Sequence, residues 1–191
     1  MAAEKWNFDN AHSRIEFTVR HMLVSKVRGR FGKWTGTFNY DEKNPAASSV
    51  EVQIDATSVD THEPQRDAHL RSADFFEVDK HPFLTFKSTR IDEKGDDRLA
   101  LTGDLTIRGV TRRVVLDVAF GGRVKDPRGN ERVGFAAKTS IDRKDFGVSF
   151  NQVLDVGGLA LGDDVDISIE IEATRAVPAR VQDAARHEQG G

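Results

Sequence analysis

The chain has 191 residues and a formal net charge of -3, with charges of both signs spread along it. This length suffices for one domain with a sizeable core, and the charge pattern leaves no basic face to follow a phosphate backbone, so we expect no nucleic-acid partner. The sequence has no cysteine, which excludes disulfides, thiolate metal sites and cysteine nucleophiles.

The N-terminal residues 1–9, M-A-A-E-K-W-N-F-D, lead into strand-like sequence without an apolar stretch of signal-peptide length. No run in the chain approaches the length of a transmembrane segment. We therefore expect a soluble cytoplasmic protein with no integral membrane segment. A periplasmic location is the alternative if a signal peptide was removed from a precursor.

Alternating apolar and polar residues predict strands in the first third of the chain. Residues 15–19 and 50–54 both alternate in this way, as expected for strands with one dry and one wet face. Between them, residues 28–40 place Gly29, Gly32 and Gly36 among aromatic residues. Glycines in a strand mark bulges and sharp bends, so this segment predicts a barrel corner.

The segment 63–76 interrupts the strands with a short helix. Asp60 or Thr61 is the expected N-cap, Glu63 stands where a capping-box acid helps, and Pro64 suits the first turn. The helix should therefore begin close to residue 63, and a second short turn should follow it.

Three apolar residues of this helical segment, Leu70, Phe75 and Phe76, need a partner that its polar neighbours do not provide. If the strands form a barrel, its open mouth is the natural partner. A helix there would close one end of an apolar interior.

Further alternating segments follow at 84–86, 99–107, 114–120, 133–141 and 165–171. About eight strands joined by short polar turns predict an all-β fold, an antiparallel eight-stranded β-barrel with one short helical segment at one end. A β-sandwich is the competing architecture.

A change of composition near residue 176 sets the predicted domain boundary. Residues 1–176 form a single barrel domain, and the polar C-terminal tail, 177–191, is expected to be disordered or a frayed helix.

Several short motifs recur in a fixed order and give the chain a specific resemblance. They are H-S-R-I-E-F-T-V-R-H at 12–21, V-R-G-R-F-G at 27–32, R-D-A-H-L-R-S-A-D-F-F at 66–76, F-L-T-F-K-S at 83–88, G-D-L-T-I-R-G-V-T at 103–111, G-F at 134–135 and I-D-R-K-D-F-G-V at 141–148. In this order and spacing, the chain resembles the YceI-like family of polyisoprenoid-binding proteins over most of its length.

This resemblance implies a lipocalin-like barrel that holds the tail of a long isoprenoid, a quinone-type lipid or a similar amphiphile, and it implies a homodimer. We expect a non-catalytic protein of lipid binding, storage or transport, with no other cofactor. Strand parity and the resemblance together predict the following apolar ligand-binding residues: Ile15, Phe17, Val19, Phe31, Phe38, Val52, Leu70, Phe75, Phe86, Phe120, Phe135, Ile141, Phe146 and Ile169. Asp67, His69 and Arg143 are the candidate head-group contacts.

Two other functional classes stay open. An enzyme acting on a lipid or small apolar substrate would use His69, Asp67 or Arg143 around the helix, although no nucleophile with an adjacent base and no phosphate-binding loop is visible. A structural or stress-response protein would have a barrel that is simply filled by its own side chains. His62 and His69 are seven residues apart instead of the three or four that bring two helical side chains together, so we expect no bound metal.

Overall fold

The structure is a computed structural model that describes residues 2–155 and 157–177. Its strands are β1 (Glu4–Phe8), β2 (Arg14–His21), β3 (Ser25–Phe31), β4 (Trp34–Tyr40), β5 (Ser49–Asp55), β6 (Val59–Asp60), β7 (Phe83–Gly95), β8 (Arg98–Ile107), β9 (Val110–Lys125), β10 (Glu131–Asp142) and β11 (Leu161–Arg175). The α-helix is α1 (Pro64–Arg71), and short 3-10 turns cover Asn10–His12, Pro45–Ala47, Ala56–Ser58 and Arg143–Phe146.

These strand segments form a closed antiparallel barrel of eight strands, three of which are interrupted. β1 and β2 pair with opposite ends of β11. On one side β1 pairs with β4, which pairs with β5. On the other side β2 pairs with β3, which pairs with β6. β5 then pairs with β7, and β7 to β11 follow as a meander. The predicted barrel is therefore confirmed, and the β-sandwich alternative is wrong.

The bend predicted within residues 28–40 is also present. β3 ends at Phe31 and β4 begins at Trp34, so the interruption falls on Gly32 and Lys33. The chain turns there because β3 continues the pairing with β2 while β4 continues it with β1.

Helix α1 begins where predicted, but its N-cap is a different residue. Glu63 is the N-cap, because its carboxylate accepts hydrogen bonds from the backbone N–H groups of Gln65 and Arg66. Asp60 and Thr61, the caps expected from sequence, lie outside the helix. Pro64 stands in the first turn as expected, where its missing N–H costs no hydrogen bond.

The helix ends at Arg71, and the predicted second short turn follows it. Ser72 leaves the helical conformation, with φ -74° and ψ 174°, and its hydroxyl donates to the His69 carbonyl at 2.6 Å. Phe75 and Phe76 follow in a turn, and the Phe76 N–H donates to the Leu70 carbonyl. This turn directs both rings towards the barrel.

Two apolar clusters lie at opposite ends of the barrel. One contains Phe31, Phe75 and Phe146 beside α1, and the other surrounds Trp6 and Tyr40 at the far ends of β1 and β4. Helix α1 is too short and too polar to cross a membrane, and no other part of the described chain forms a helix that would do so. The predicted tail lies outside the described residues from position 178 onward.

Candidate ligand cavity inside the barrel

A cavity of about 490 Å³ occupies the barrel interior, and its wall is almost wholly apolar. This volume falls within the range of about 300 to 1,000 Å³ that is typical of small-molecule sites. Each of the eight strands and helix α1 contribute to the wall. The cavity is therefore built by the alternation of the whole sheet, and no single motif forms it.

Burial along β10 and β11 shows that the interior is hollow. Phe135, Ala137, Ile167 and Ile169 border the cavity, yet each is only half-buried. Side chains that face a filled core would be fully buried, since protein interiors are close-packed. The accessible surface of these residues therefore faces the cavity.

An aromatic cluster fills the end of the barrel opposite α1. The Phe135 ring lies 5.2 Å from Tyr40, 5.3 Å from Phe120 and 5.6 Å from Phe38, measured between ring centroids. Burial raises the pKa of the Tyr40 phenol to about 12, so this hydroxyl stays protonated at neutral pH. These rings form the floor of the cavity.

Helix α1 and the turn after it cover the other end. The His69 ring packs edge-on against Phe75 and Phe150, with centroids 5.0 and 4.9 Å away. Its Nε2 lies 2.8 Å from an Asp74 carboxylate oxygen, and Arg108 donates to the Phe75 carbonyl at 2.8 Å. The cover is therefore held to the barrel by polar contacts as well as by packing.

Asp67 anchors the start of α1 and does not border the cavity. Its Oδ1 accepts hydrogen bonds from the Thr61 N–H at 2.9 Å and the Thr61 hydroxyl at 2.5 Å, all three groups being buried. Arg66 adds two bonds to Thr61, through Nε to the hydroxyl and Nη2 to the carbonyl, both at 2.8 Å. Asp67 therefore has a structural role at the start of α1, and the head-group contact expected from sequence stays a prediction.

Arg143 is nearly fully buried at the cavity rim and braces the chain that follows it. Its Nη1 donates to the carbonyls of Val148 and Phe150, at 2.7 and 2.9 Å, and its Nε donates to the Gly162 carbonyl at 2.9 Å. Burial lowers the pKa of the guanidinium, and the Asp163 carboxylate, 3.8 Å away, partly opposes this. Arg143 thus positions the segment that carries Phe150 over the cavity.

The structure brings most of the predicted residues together on the cavity wall. These are Ile15, Phe17, Val19, Phe31, Phe38, Val52, Leu70, Phe75, Phe86, Phe135, Ile141, Phe146 and Ile169, with His69 and Arg143 near the helix. Phe120 does not border the cavity, because it lies deeper in the floor against Tyr40 and Phe135. Contact of the wall residues with a ligand stays a prediction.

The cavity wall also contains residues that were not predicted from the sequence. Trp34 has the same strand parity as Phe38, so the alternation of β4 contained a signal for it. Phe150 and Arg66 lie in an irregular segment and on a polar helix, where no alternation indicates a direction.

One trio of potential metal ligands was also missed. Ligand atoms of Asp9, His12 and Glu172 lie within 4.8 Å of one another on the outer surface. Arg132 donates to Asp9 at 2.8 Å and to Glu172 at 2.5 Å, and it also contacts Asp126 at 3.1 Å. The guanidinium of Arg132 already bonds both carboxylates of the trio and offsets part of their negative charge, which disfavours a second cation there.

Comparison with known proteins agrees with this architecture. The YceI-like domain model matches residues 6–173. A UPF0312 protein of Pectobacterium atrosepticum is 44% identical over 176 residues, which cover 92% of this chain and 88% of that protein.

Two solved structures share the fold. BcnA of Burkholderia cenocepacia has a TM-score of 0.77 at 23% identity, over 87% of this chain and 99% of that one. A polyisoprenoid-binding domain from Saccharophagus degradans has a TM-score of 0.65 at 14% identity, over 91% and 99%. The family model and the relative at 44% identity both span most of the barrel, and the chain therefore belongs to the family of YceI-like domain proteins.

Proposed function

We propose that this protein binds the hydrocarbon tail of an isoprenoid or a similar long-chain amphiphile inside its barrel, without catalysis, as a lipid store or carrier. The observation that carries the proposal is the hollow apolar interior, in which inward side chains keep accessible surface. The structural likeness to a polyisoprenoid-binding domain supports it at the level of the fold.

The physical basis of binding is burial of apolar surface. Each methylene moved from water into the cavity contributes about 0.8 kcal/mol, so a five-carbon isoprene unit contributes about 4 kcal/mol before the cost of ordering it. A tail in a dry, preformed cavity therefore binds tightly without any chemical step.

The polar residues of the wall indicate the orientation of the ligand. Three charged or imidazole side chains of the wall, Arg66, His69 and Arg143, border the cavity at the α1 end. The opposite end contains aromatic rings and the uncharged Ser48 and Ser49. A lipid bound with its tail on the aromatic floor would place its head group near α1, where polar groups and solvent can satisfy it.

The geometry favours binding over catalysis by the residues that sequence analysis singled out. Asp67 is bonded to Thr61, His69 to Asp74, and Arg143 to backbone carbonyls. Across the described residues these three side chains form no hydrogen bond to one another, so they do not make a base–nucleophile pair.

Adjacent alanines on β10 offer a matched test of the cavity. Ala137 borders the cavity, and Ala136 points to solvent from the outer face. Ala137→Trp should displace most of the lipid that co-purifies with the wild type, because the indole fills the space of the tail. Ala136→Trp should retain it.

The readouts are lipid extraction with mass spectrometry and the thermal midpoint of each variant. In a lipid-binding barrel, Ala137→Trp fills empty space and keeps the fold. If the barrel were filled by its own side chains, the same change would destabilise it by about 1 to 3 kcal/mol, with no lipid in any protein. That pair of results would contradict the proposed function.

A further inference from the structure

Two turns at the α1 end of the barrel expose a cluster of apolar side chains. The turn between β2 and β3 carries Met22, Leu23 and Val24, with Val24 89% exposed, and the turn before β11 carries Val153 and Leu159, with Val153 79% exposed. Of the nine exposed large apolar residues in the described chain, these five lie on the two turns. We refer to residues 22–24, 153–155 and 157–159 as the mouth turns.

The mouth turns contact each other and continue the cavity rim. The Met22 N–H donates to the Ala160 carbonyl at 2.7 Å, and a methyl group placed on Gly158 would lie 3.5 Å from Leu23 Cδ1. His21 and Ala160, which directly flank the turns, border the cavity. The exposed apolar surface therefore borders the α1 end of the cavity.

The backbone of the first mouth turn does not suit its residues. Met22 and Leu23 have φ values of 49° and 64°, and the Val24 N–H donates to the His21 carbonyl at 3.3 Å, as in a type I′ hairpin turn. Such turns favour Asn and Gly, because other side chains are strained at positive φ. Bulky apolar side chains here cost backbone energy and bury little surface, so the fold does not account for them.

Cations without acidic partners flank the same turn. Arg20, Lys26 and Arg28 are exposed on the outer face of β2 and β3, and none of them lies within 4.0 Å of a carboxylate in the described part of the chain. Asp155 lies on the mouth turns, and β11, which pairs with β2, carries three aspartates within 163–166, so the cationic edge is confined to the side of β2 and β3. An apolar tip bordered by free cations complements a surface that is apolar beneath a layer of anionic groups.

We propose that the mouth turns dock the barrel onto a phospholipid bilayer that carries anionic head groups. The apolar side chains of the mouth turns enter the interface, and Arg20 and Lys26 lie at the level of the phosphates. This places the α1 end of the cavity against the membrane. Docking does not rest on the proposed tail binding, since it depends only on the outer surface of the turns.

The test is flotation of the full chain with phosphatidylcholine vesicles, prepared with and without phosphatidylglycerol. The wild type should float with the vesicles that contain phosphatidylglycerol, and less so at high salt, because salt screens the cations. The double variant Met22→Asn, Leu23→Gly supplies the residues that a type I′ turn favours. The variant should therefore be at least as stable as the wild type, while the fraction bound to vesicles should fall at least tenfold.

Two further variants separate the apolar and electrostatic contributions. Arg20→Gln combined with Lys26→Gln should abolish the preference for phosphatidylglycerol. Val124→Asn, which changes an exposed valine on β9 at the other end of the barrel, should float like the wild type. Equal flotation of the turn variant and the wild type, or no flotation of the wild type, would overturn the proposal.

Two measurements distinguish the remaining outcomes. Co-purifying lipid in the turn variant, read by mass spectrometry, reports on tail binding separately from docking. If light scattering instead shows that the turn variant converts a dimer into a monomer without a change in flotation, the mouth turns form a protein interface and the membrane proposal is wrong.

Discussion

The ring of Phe17 lies across the backbone of Gly29 on the neighbouring strand, so that a methyl group added to Gly29 would sit 2.4 Å from Phe17 Cζ. Phe86 lies over Gly103 in the same way, also at 2.4 Å. Both rings belong to the cavity wall. The glycines let them lie flat against the sheet, which leaves the centre of the barrel open.

Gly29→Ala should therefore reduce the lipid bound by the barrel. The added methyl forces the Phe17 ring towards the cavity, and it also approaches Thr61 Cγ2 to 2.9 Å, so we expect the fold to lose about 1 to 3 kcal/mol as well. Extracted lipid and the thermal midpoint are the measurements.

Gly32→Ala is the matched control. A methyl there meets its nearest atom, the Ser58 carbonyl oxygen, only at 4.0 Å, so lipid content should match the wild type. Where the backbone suits alanine, such a change commonly stabilises a protein by about 0.4 to 1 kcal/mol. A similar loss of lipid in both variants would show that Phe17 does not border the ligand.

The barrel and most of its lining were predictable because alternation along a strand directly reflects which face is dry. Parity does not report depth along the barrel axis, however, and this is why Phe120 was assigned to the cavity although it lies in the floor. Trp34 had the right parity and could have been included.

The helical cover over the cavity was predictable from its unpartnered apolar residues, but the positions of Phe150 and Asp67 were not, because non-local hydrogen bonds determine them. Phe150 reaches the rim in a segment without regular structure, held by Arg143 through backbone carbonyls. Asp67 looked like a cavity residue on a polar helix, but its carboxylate bonds Thr61, six positions earlier. Neither contact leaves a periodic pattern in the sequence.

The role of Arg143 as a brace predicts that its shape matters more than its charge. Arg143→Lys keeps the cation, but its single ammonium nitrogen cannot reach the carbonyls that the separate Nε and Nη1 atoms of arginine contact, so buried acceptors are left unsatisfied. We expect a loss of about 1 to 3 kcal/mol in the free energy of unfolding. Hydrogen exchange should accelerate in the segment 148–162 and stay unchanged in β7 to β9.

Lys144→Arg, at the neighbouring exposed position, is the control, because Lys144 contacts only Asp163 at 3.0 Å among the described acids. If Arg143→Lys left both stability and exchange unaltered, the hydrogen bonds to the rim would contribute nothing measurable.

The cluster around Arg132 predicts how stability depends on acid. Hydrogen bonds, mainly from His12 and next from Arg132, lower the pKa of Asp9 from 3.8 to about 2. Hydrogen bonds, mainly from Asn130, also lower the pKa of Asp126 from 3.8 to about 2. A carboxyl group whose pKa is lower in the folded state stabilises the protein at pH values above its pKa in the unfolded state. That stability is lost as the pH falls from about 5 towards 2.

Arg132→Met tests this dependence. It should lower the thermal midpoint most at neutral pH, where Asp9, Asp126 and Glu172 are left charged beside one another. The difference from the wild type should narrow as the pH falls towards 2. Arg113→Met, on an exposed position of β9, should show the acid profile of the wild type, and a pH-independent deficit in Arg132→Met would contradict the role of these carboxylates.

The affinity of the barrel for linear isoprenoid alcohols should rise with tail length and then level off. Each five-carbon unit that enters the cavity contributes about 4 kcal/mol before ordering costs, so we expect at least about a tenfold gain in affinity per unit. A cavity of about 490 Å³ accepts only a limited length, and units beyond it gain nothing. Competition with a fluorescent lipid probe, below the critical micelle concentration of each alcohol, provides the measurement.

Ala137→Trp occupies part of the same space, so its plateau should begin at a shorter tail, whereas Ala136→Trp on the outer face should keep the wild-type plateau. An affinity independent of tail length would place the ligand on the surface, and a rise without a plateau in all three proteins would indicate adsorption to aggregates; either result would rule out the barrel interior as the binding site.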